Sequence, residues 1–571
     1  MPTLNFKGKT AVESYHLVVP HHILDFDEKL SLTDSPSLDG NLIIEGDNLL
    51  ALKALLPTHA GKVKCIYIDP PYNTGNEGWI YNDNLTQPQF KEWIGQVVGK
   101  EGEDACRHDK WCCMMYPRLQ LFKDLLRDDG AVFVSIDDNE VHHLRMLMDE
   151  IFGECNFIAC IANVNNPKGR SDDKNVATAH EYLLVYQKAH ATIGGWPPED
   201  NVLRRYNKKD ASGNKYREID LRKTGDNDRR QDRENLFYYF MHNPNTKDFY
   251  ATRDPAERPG FVRIVPIRED GSEGNWRWGL ETANEKRDIL VPKYMPVRKK
   301  WSVFEMDYLG PNERVKPTSA WTMKDVNSER GTEQFLELGF SKEEFPRPKP
   351  VGLLMRIVQL ATTPNSGDIV LDSFAGSGTT AQAVMQQNAT DGGNRCFVLV
   401  QMPHETKEQE ARRFNICARL TRERAARVAH GHTHVTPAGG TVAVNALGGQ
   451  FTYCRLGKML FDRFRNFPNG EYPSYEELAK YIFYTETSRA LDVAGIDYDT
   501  GRIGEHAGRS YYLLYTPDGN ADRALTMDWL AKTSGRDPRP KVVYCEKIHV
   551  HRRDLAGYGN VRAMQVPFNL K

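Results

Sequence analysis

What this chain of 571 residues lacks narrows the field first. Its ten cysteines are scattered, and no two stand in a C-x-x-C pair; Cys112 and Cys113 are adjacent, and Cys155 and Cys160 lie five apart. That usage argues against a zinc ribbon or a disulfide frame and for reduced thiols in a cytoplasmic chain. No Gly-x-x-x-x-Gly-Lys-Ser/Thr run occurs, so the chain carries no triphosphate cradle of that kind. No apolar stretch approaches a membrane span, and Met1-Pro2-Thr3-Leu4-Asn5-Phe6 opens no signal-peptide apolar region, so no membrane partner is expected. The formal net charge is only −2, which makes any basic surface a local one. Repeats and long low-complexity tracts are missing too. With 27% charged and 40% hydrophobic residues the composition is that of a globular protein, long enough for several domains. No metal is expected: His430-Gly431-His432-Thr433-His434 fits a loop better than a ligand set.

What is there begins with the β-branched, aromatic run Val63-Lys64-Cys65-Ile66-Tyr67-Ile68, which reads as a strand ending in Asp69-Pro70-Pro71-Tyr72. A carboxylate and a peptide carbonyl can accept both protons of a flat aromatic amine such as that of adenine. A tyrosine ring can stack on the base, and two prolines fix φ and stiffen the accepting carbonyl. A second apolar strand, Ile369-Val370-Leu371-Asp372, runs into Ser373-Phe374-Ala375-Gly376-Ser377-Gly378-Thr379-Thr380 and then a helical stretch. Gly376 and Gly378 admit a ligand close to the backbone, and the helix N-terminus offers free N–H groups and a positive dipole end. Ala381 stands where a dinucleotide fingerprint has its third glycine, so the ligand expected here lacks a polyphosphate.

Together these two segments resemble the DNA amino-methyltransferases that use S-adenosylmethionine. The order, Pro-Pro-Tyr before the glycine turn, is similar to their β class. The detail resembles the modification subunit of type III restriction-modification systems, carried by Ile44-Glu45-Gly46-Asp47-Asn48-Leu49, Asp69-Pro70-Pro71-Tyr72-Asn73-Thr74-Gly75 and Arg233-Glu234-Asn235-Leu236-Phe237-Tyr238. The resemblance covers most of residues 41–430. It implies an α/β, circularly permuted Rossmann-like methyltransferase fold with an inserted target-recognition domain and a C-terminal α+β domain. It also implies transfer of a methyl group to the N6 amine of an adenine flipped out of duplex DNA. Asp69 and the Pro70 carbonyl would accept the amine hydrogens, Pro71 would stiffen the frame and Tyr72 would stack. Asn73 and Trp79 are candidate helpers.

For S-adenosylmethionine the candidates are Asp372, set against the amino group of its methionine part, Phe374, Ala375, Gly376 and Gly378. Thr379 would cap the following helix and touch the carboxylate, and Asp47 would bond the adenine ring. Gln401 ends the strand Cys396–Gln401, where relatives carry an acid for the ribose hydroxyls. The stretch Phe345-Pro346-Arg347-Pro348-Lys349-Pro350 resembles a segment that covers the cofactor, which brings in Lys349.

Along the chain, residues 1–40 read as an N-terminal extension and 41–189 as the catalytic half. Residues 190–335 read as the target-recognition domain, 336–430 as the cofactor half and 431–571 as a C-terminal domain of unassigned role. A helix is expected from Asn48 until Pro57 stops it, an amphipathic one over Tyr116–Arg127 and another over Glu140–Phe152. Strands are expected at 131–137 and 182–186. Residues 76–110 have the composition of a mobile loop. Strands 369–374 and 396–401 should join the sheet of 42–45 and 63–69. In the insert, residues 203–233 hold eleven Lys/Arg against six acids, followed by Phe237, Tyr238, Tyr239, Phe240, Trp276 and Trp278. Basic and aromatic residues interleaved suit phosphate and base contact; Arg229, Arg230, Tyr238 and Trp276 are the DNA-binding candidates.

Cytosine-carbon methylation is disfavoured, since its nucleophilic cysteine normally follows a proline and no Pro-Cys pair exists. Cytosine-N4 methylation needs the same two acceptors and stays open, as does an RNA substrate. A non-catalytic DNA-binding module would leave both motifs without purpose. Expected partners are double-stranded DNA, a second copy of the chain in a homodimer, and a separate ATP-dependent restriction subunit.

Overall fold

The structure, a computed structural model, describes residues 3–74, 107–169, 173–198, 200–310, 314–435, 439–461, 467, 472–517, 523–558 and 560–566. The chain divides into two compact units, residues 195–316 and everything else.

The larger unit is built on a ten-stranded sheet. Its strands are β1 (His22–Phe26), β2 (Leu42–Glu45), β3 (Val63–Ile68), β4 (Leu126–Ile136), β5 (Phe157–Asn163), β6 (Glu181–Gln187), β7 (Ala320–Trp321), β8 (Ile369–Asp372), β9 (Cys396–Gln401) and β10 (Thr452–Met459). They lie in the order β1-β10-β2-β9-β8-β3-β4-β6-β5-β7. From β10 to β4 all neighbours are parallel, while β1 and β6 run against theirs. The late strands β8 and β9 thus slot between β2 and β3, joining segments 305 and 356 residues apart (Leu371 opposite Ile66, Val400 opposite Ile44). β3 is buried along its whole length, as strands covered on both faces must be.

Helix α1 (Asn48–His59) follows β2, α2 (Arg107–Leu125) precedes β4, and α3 (Val141–Phe152) follows it. Helix α4 (Val351–Ala361) precedes β8, α5 (Thr379–Asp391) follows it, and α6 (Arg422–His430) comes after β9. Strands β2, β3 and β4 with helices α1, α2 and α3 share one apolar core that includes Trp111, Leu119 and Phe122.

Several expectations change. Helix α1 runs through Pro57 to His59, because its last turn continues with Ala60 N–H bonded to the Leu56 carbonyl. Helix α2 starts at Arg107, nine residues earlier than the amphipathic stripe suggests. Nearly every position from Trp111 on is buried, so the stripe marked only part of a covered helix. Of the loop expected at 76–110, residues 107–110 are helical and the rest lies outside the described residues, as does Trp79. Part of the stretch read as an N-terminal extension is built into the sheet: β1 closes one sheet edge against β10, pairing antiparallel (Asp25 opposite Arg455). The boundary at 431 moves for the same reason, since β10 belongs to the central sheet. Beyond it stands a four-stranded sheet (Arg502–His506, Arg509–Leu514, Lys541–Cys545, Val561–Gln565) with the helix Tyr475–Thr487 packed on it through Leu478, Ile482 and Phe483.

The smaller unit is narrower than the 190–335 read from composition; residues 317–335, with β7, belong to the larger one. It holds a three-stranded sheet (Phe249–Thr252, Tyr239–His242, Val262–Ile264) and a four-stranded one (Leu290–Met295, Lys300–Tyr308, Lys215–Asp220, Lys208–Lys209). Its core gathers Leu221, Tyr238, Phe240, Ile264, Trp276 and Val303.

Candidate active site

β3 and β8 are adjacent parallel strands, so their carboxyl ends, Asp69-Pro70-Pro71-Tyr72 and the turn 373–378, emerge side by side. This is the rim where open α/β sheets bind ligands. The Asp69 charge is felt at the Asp372 carboxyl, which marks their proximity.

Within the tetrapeptide the two prolines have different surroundings. Trp111 Nε1–H donates to the Pro71 carbonyl at 2.7 Å. Among the described residues no donor reaches the Pro70 carbonyl. Asn73 takes a left-handed conformation (φ 56°), and its side-chain amide donates to the buried carboxylate of Glu140. The same carboxylate takes His108 Nδ1 (2.6 Å) and His143 Nδ1 (2.8 Å). Those three side chains have ligand atoms within 4.8 Å of one another, a spacing a divalent ion could bridge. Here they brace the turn that follows Tyr72.

Asp69 itself is held by Tyr72 of the motif and by Lys349, which the motif does not contain. Its Oδ1 accepts the Tyr72 hydroxyl (2.9 Å) and lies 3.2 Å from Lys349 Nζ. The ammonium also donates to the Tyr72 hydroxyl (2.7 Å) and to Glu181 Oε2 (2.8 Å). Glu181 begins β6, where Asn163 Nδ2 donates to its other oxygen at 3.0 Å. Burial and the Glu181 charge raise the Asp69 carboxyl above the usual range, against the pull of Lys349. Burial alone would lower Lys349, but two carboxylates outweigh it and its ammonium is held above the ordinary value. Burial and both carboxylates push the Tyr72 phenol up, keeping it protonated.

The glycine turn is tied from within. Gly376 and Gly378 have φ of 50° and 78°. A Cβ on Gly378 would stand 2.8 Å from the Thr421 carbonyl, so that glycine serves close packing as well as the turn. Phe345 lies over Gly376, and Thr379 Oγ1 donates to the Lys349 carbonyl (3.2 Å), so the 345–350 stretch packs against the turn. Phe374 and Ala375 are buried. Arg424 is wholly buried and donates to Ser377 Oγ (3.0 Å) and Thr379 Oγ1 (2.7 Å). Its Nη2 has no hydrogen-bond partner, no carboxylate pairs with it among the described residues, and burial lowers it to about 9.

Four cofactor candidates take other roles in the structure. Asp47 is the N-cap of α1, its Oδ1 accepting from Leu49 N (2.9 Å) and Leu50 N (3.1 Å), with Arg118 3.7 Å from Oδ2. Asp372 spends both oxygens inside the turn, on Phe374 N–H (3.0 Å) and the Thr380 hydroxyl (2.5 Å). Thr379 is the first helical residue and not the cap, which is Gly378. Lys349 sends its ammonium to Asp69, so only its backbone faces the cofactor turn. Gln401 is committed as well: Oε1 accepts Gly376 N–H (2.6 Å) and Nε2 donates to Glu405 (2.8 Å). Glu405, whose carboxyl burial pushes up, is then the acid next to the turn.

The DNA candidates divide. Arg229 and Arg230 are exposed; Arg230 pairs with Glu273 (2.6 Å) and lies over the Phe237 ring (4.1 Å). Tyr238 and Trp276 are fully buried, with the Trp276 Nε1–H donating to the Tyr238 carbonyl (2.9 Å). They build the core of the insert and are not available to a base, a reversal of the sequence expectation. The basic run 203–233 just upstream drew the aromatics into a nucleic-acid reading and hid their place in the core. Glu181, Arg424 and Glu405 went unnoticed because each sits in an ordinary helix, strand or loop context; only the fold brings them to the two motifs.

A family model described as DNA methylase matches residues 63–409. The Mod subunit of the type III restriction-modification enzyme EcoPI from Escherichia phage P1 is 32% identical over 70% of this chain and 63% of its own length. The type II methyltransferase M.KpnI of Klebsiella pneumoniae is 35% identical over 68% of this chain and 86% of its own. The StyLTI Mod subunit of Salmonella typhimurium is 31% identical, and the chain spans 57% of that relative's length.

Proposed function

The chain belongs to the DNA methylase family, and from that membership we propose that it transfers a methyl group from S-adenosylmethionine to the N6 amine of an adenine in duplex DNA. The observation that carries this reading is the pairing at one sheet rim of Asp69 with a Pro70 carbonyl that no donor among the described residues reaches, beside the glycine turn of the next strand.

The amine's lone pair is delocalised into the ring, and two acceptors around its hydrogens favour a pyramidal, nucleophilic nitrogen. Asp69 and Pro70 supply them, and Asp69 stabilises the positive charge that grows on nitrogen. The cofactor supplies an electrophilic methyl on a sulfonium: the N–C bond forms as the C–S bond breaks, sulfur keeps the electron pair, and the amine proton leaves to water. What the protein adds is chiefly alignment. An adenine stacked in a duplex is out of reach, so the base is extruded and Tyr72 offers it a stacking surface.

The residues at the turn fit this cofactor. An anionic methionine carboxylate suits the helix N-terminus and Arg424 beside it, whose Nη2 has no hydrogen-bond partner among the described residues. Phe374 and Ala375 shape the floor, Gly376 and Gly378 the close approach, and Glu405 suits the ribose hydroxyls better than the committed Gln401. The strand order reads as a circular permutation of the methyltransferase layer, and the insert reads as the target-recognition domain. A homodimer acting on duplex DNA, with a separate ATP-dependent restriction subunit as partner, is the assembly this reading implies.

Incubation with labelled S-adenosylmethionine and duplex DNA of varied sequence, followed by digestion to nucleosides, should place the label in methyladenosine. Label in methylcytosine instead would transfer the assignment to the cytosine amine, and label only in RNA would reject a DNA substrate.

A further inference from the structure

Asp69 divides its two oxygens unequally. Oδ1 is bonded by the Tyr72 hydroxyl at 2.9 Å and faced by Lys349 Nζ at 3.2 Å, whereas no group among the described residues bonds Oδ2. Lys349 is fixed at both ends. Its carbonyl accepts from Thr379 at the head of α5, and the preceding Pro348 carbonyl packs against Gly331 so closely that a Cβ there would stand 2.2 Å away. Its ammonium is turned to the tetrapeptide by Glu181, itself pinned by Asn163 across the β5–β6 pair.

We propose that Lys349, aimed by Glu181, is a positioning residue for methyl transfer: it clamps Oδ1 of Asp69 so that Oδ2 is left for the target amine, and it ties that clamp to the cofactor turn. This deepens the methyltransferase reading above and rests on it. The physical need is plain. A carboxylate taken out of water tends to accept a proton, and a protonated Asp69 would no longer be a pure acceptor for the amine hydrogens. A fixed ammonium opposes that. Glu181 opposes the ammonium in turn, because one cation then serves two carboxylates. The two residues therefore act on Asp69 with opposite sign, although each is joined to the other.

That opposition gives a test that a purely structural role would not pass. Three variants, Lys349→Met, Lys349→Arg and Glu181→Gln, are compared with the wild type by single-turnover rate against pH and by S-adenosylmethionine affinity from calorimetry. Lys349→Met should slow transfer at least roughly tenfold at neutral pH and move the acid limb of the profile up by roughly one unit or more. Lys349→Arg should bring the limb back toward the wild-type position. Glu181→Gln should move it down. Cofactor affinity should stay within about threefold throughout, since only the backbone of Lys349 faces the turn. Identical limbs in all variants, or shifts of one sign, would overturn the proposal. So would a large loss of cofactor affinity in Lys349→Met without a limb shift, which would make Lys349 a cofactor-binding residue.

The carboxyl of Asp69 is also titrated without substrate by isotope-edited infrared spectroscopy, using Asp69→Asn to identify its band. The same opposite shifts are expected there. Because this readout needs no methyl transfer, a wild type inactive on every nucleic acid would reject the methyltransferase reading while the clamp was still decided by the infrared titration.

Discussion

At the scale of single residues the proposed reaction demands two oxygen acceptors and one stacking ring, and the structure treats the two proline carbonyls beside them differently. Pro71 gives its carbonyl to Trp111, so it stiffens; the Pro70 carbonyl is reached by no donor among the described residues. Asp69→Ala removes the charged acceptor and should cut the rate of transfer by roughly 10²–10³, the scale of losing one preorganised electrostatic group. Cofactor affinity should hold, because the turn is tied through Asp372, Gln401 and Arg424 and not through Asp69. Full activity in that variant would remove Asp69 from the chemistry. Asp372 makes a separate prediction. It is nearly inaccessible, and burial lifts its carboxyl from an ordinary 3.8 to about 7. Because the folded state holds this proton more tightly than the unfolded chain, folding is favoured by it at low pH. That contribution is lost as pH rises from near 4 through about 7. Asp372→Asn keeps an acceptor for the Phe374 N–H without the charge. The melting temperature of the wild type relative to this variant should therefore fall between pH 5 and pH 8, and a constant difference would show that no such proton is held.

At the scale of elements, β3 and β8 were legible because both are short apolar runs with abrupt ends: prolines in one case, a Ser-Phe-Ala-Gly turn in the other. Their adjacency followed from the family resemblance and not from any pattern in either run. What stayed hidden was long-range. Lys349 and Glu181 are 168 residues apart and meet only because α4 and β6 flank the same rim. The buried pair Tyr238 and Trp276 was misread because the basic run 203–233 precedes it in sequence, while in the fold both pack with Phe240, Ile264 and Val303 in the core of the insert. The turn after β8 also shows why glycine is required there. Gly378 is left-handed and packed against the Thr421 backbone, so Gly378→Ala meets both a conformational penalty of about 1–2 kcal/mol and a close contact at 2.8 Å. Denaturant unfolding should show a loss of at least that size. Cofactor affinity should weaken with it, as the head of α5 shifts; a neutral substitution would mean the turn is looser than its geometry.

At the scale of the whole molecule, the insert behaves as a body closed on itself. Its two ends are bonded to each other: Trp196 bridges Val315, whose N–H donates to the Trp196 carbonyl at 2.9 Å, and Arg314 reaches the Gly195 carbonyl at 2.8 Å. It has its own core, and its ion pairs, such as Arg217 with Asp307 and Arg268 with Asp228, lie within residues 195–316. Those pairs absorb much of the positive excess that the sequence suggested was free for phosphates. Arg229→Ala should accordingly lower the salt slope of duplex binding by about 1, and Arg230→Ala by less, because Glu273 already shares its charge. A closed insert should also be removable. Replacing residues 195–316 by a short Gly-Ser linker leaves the ten-stranded sheet with every strand. The shortened protein should melt cooperatively and bind S-adenosylmethionine within a fewfold of the full chain, since Gly376, Gly378, Glu405 and Arg424 remain. It should lose sequence-selective binding to duplex DNA, measured by competition between specific and random duplexes. If selectivity survives, target recognition resides in the larger unit; if cofactor binding is lost, the sheet depends on the insert more than its self-contained bonding implies.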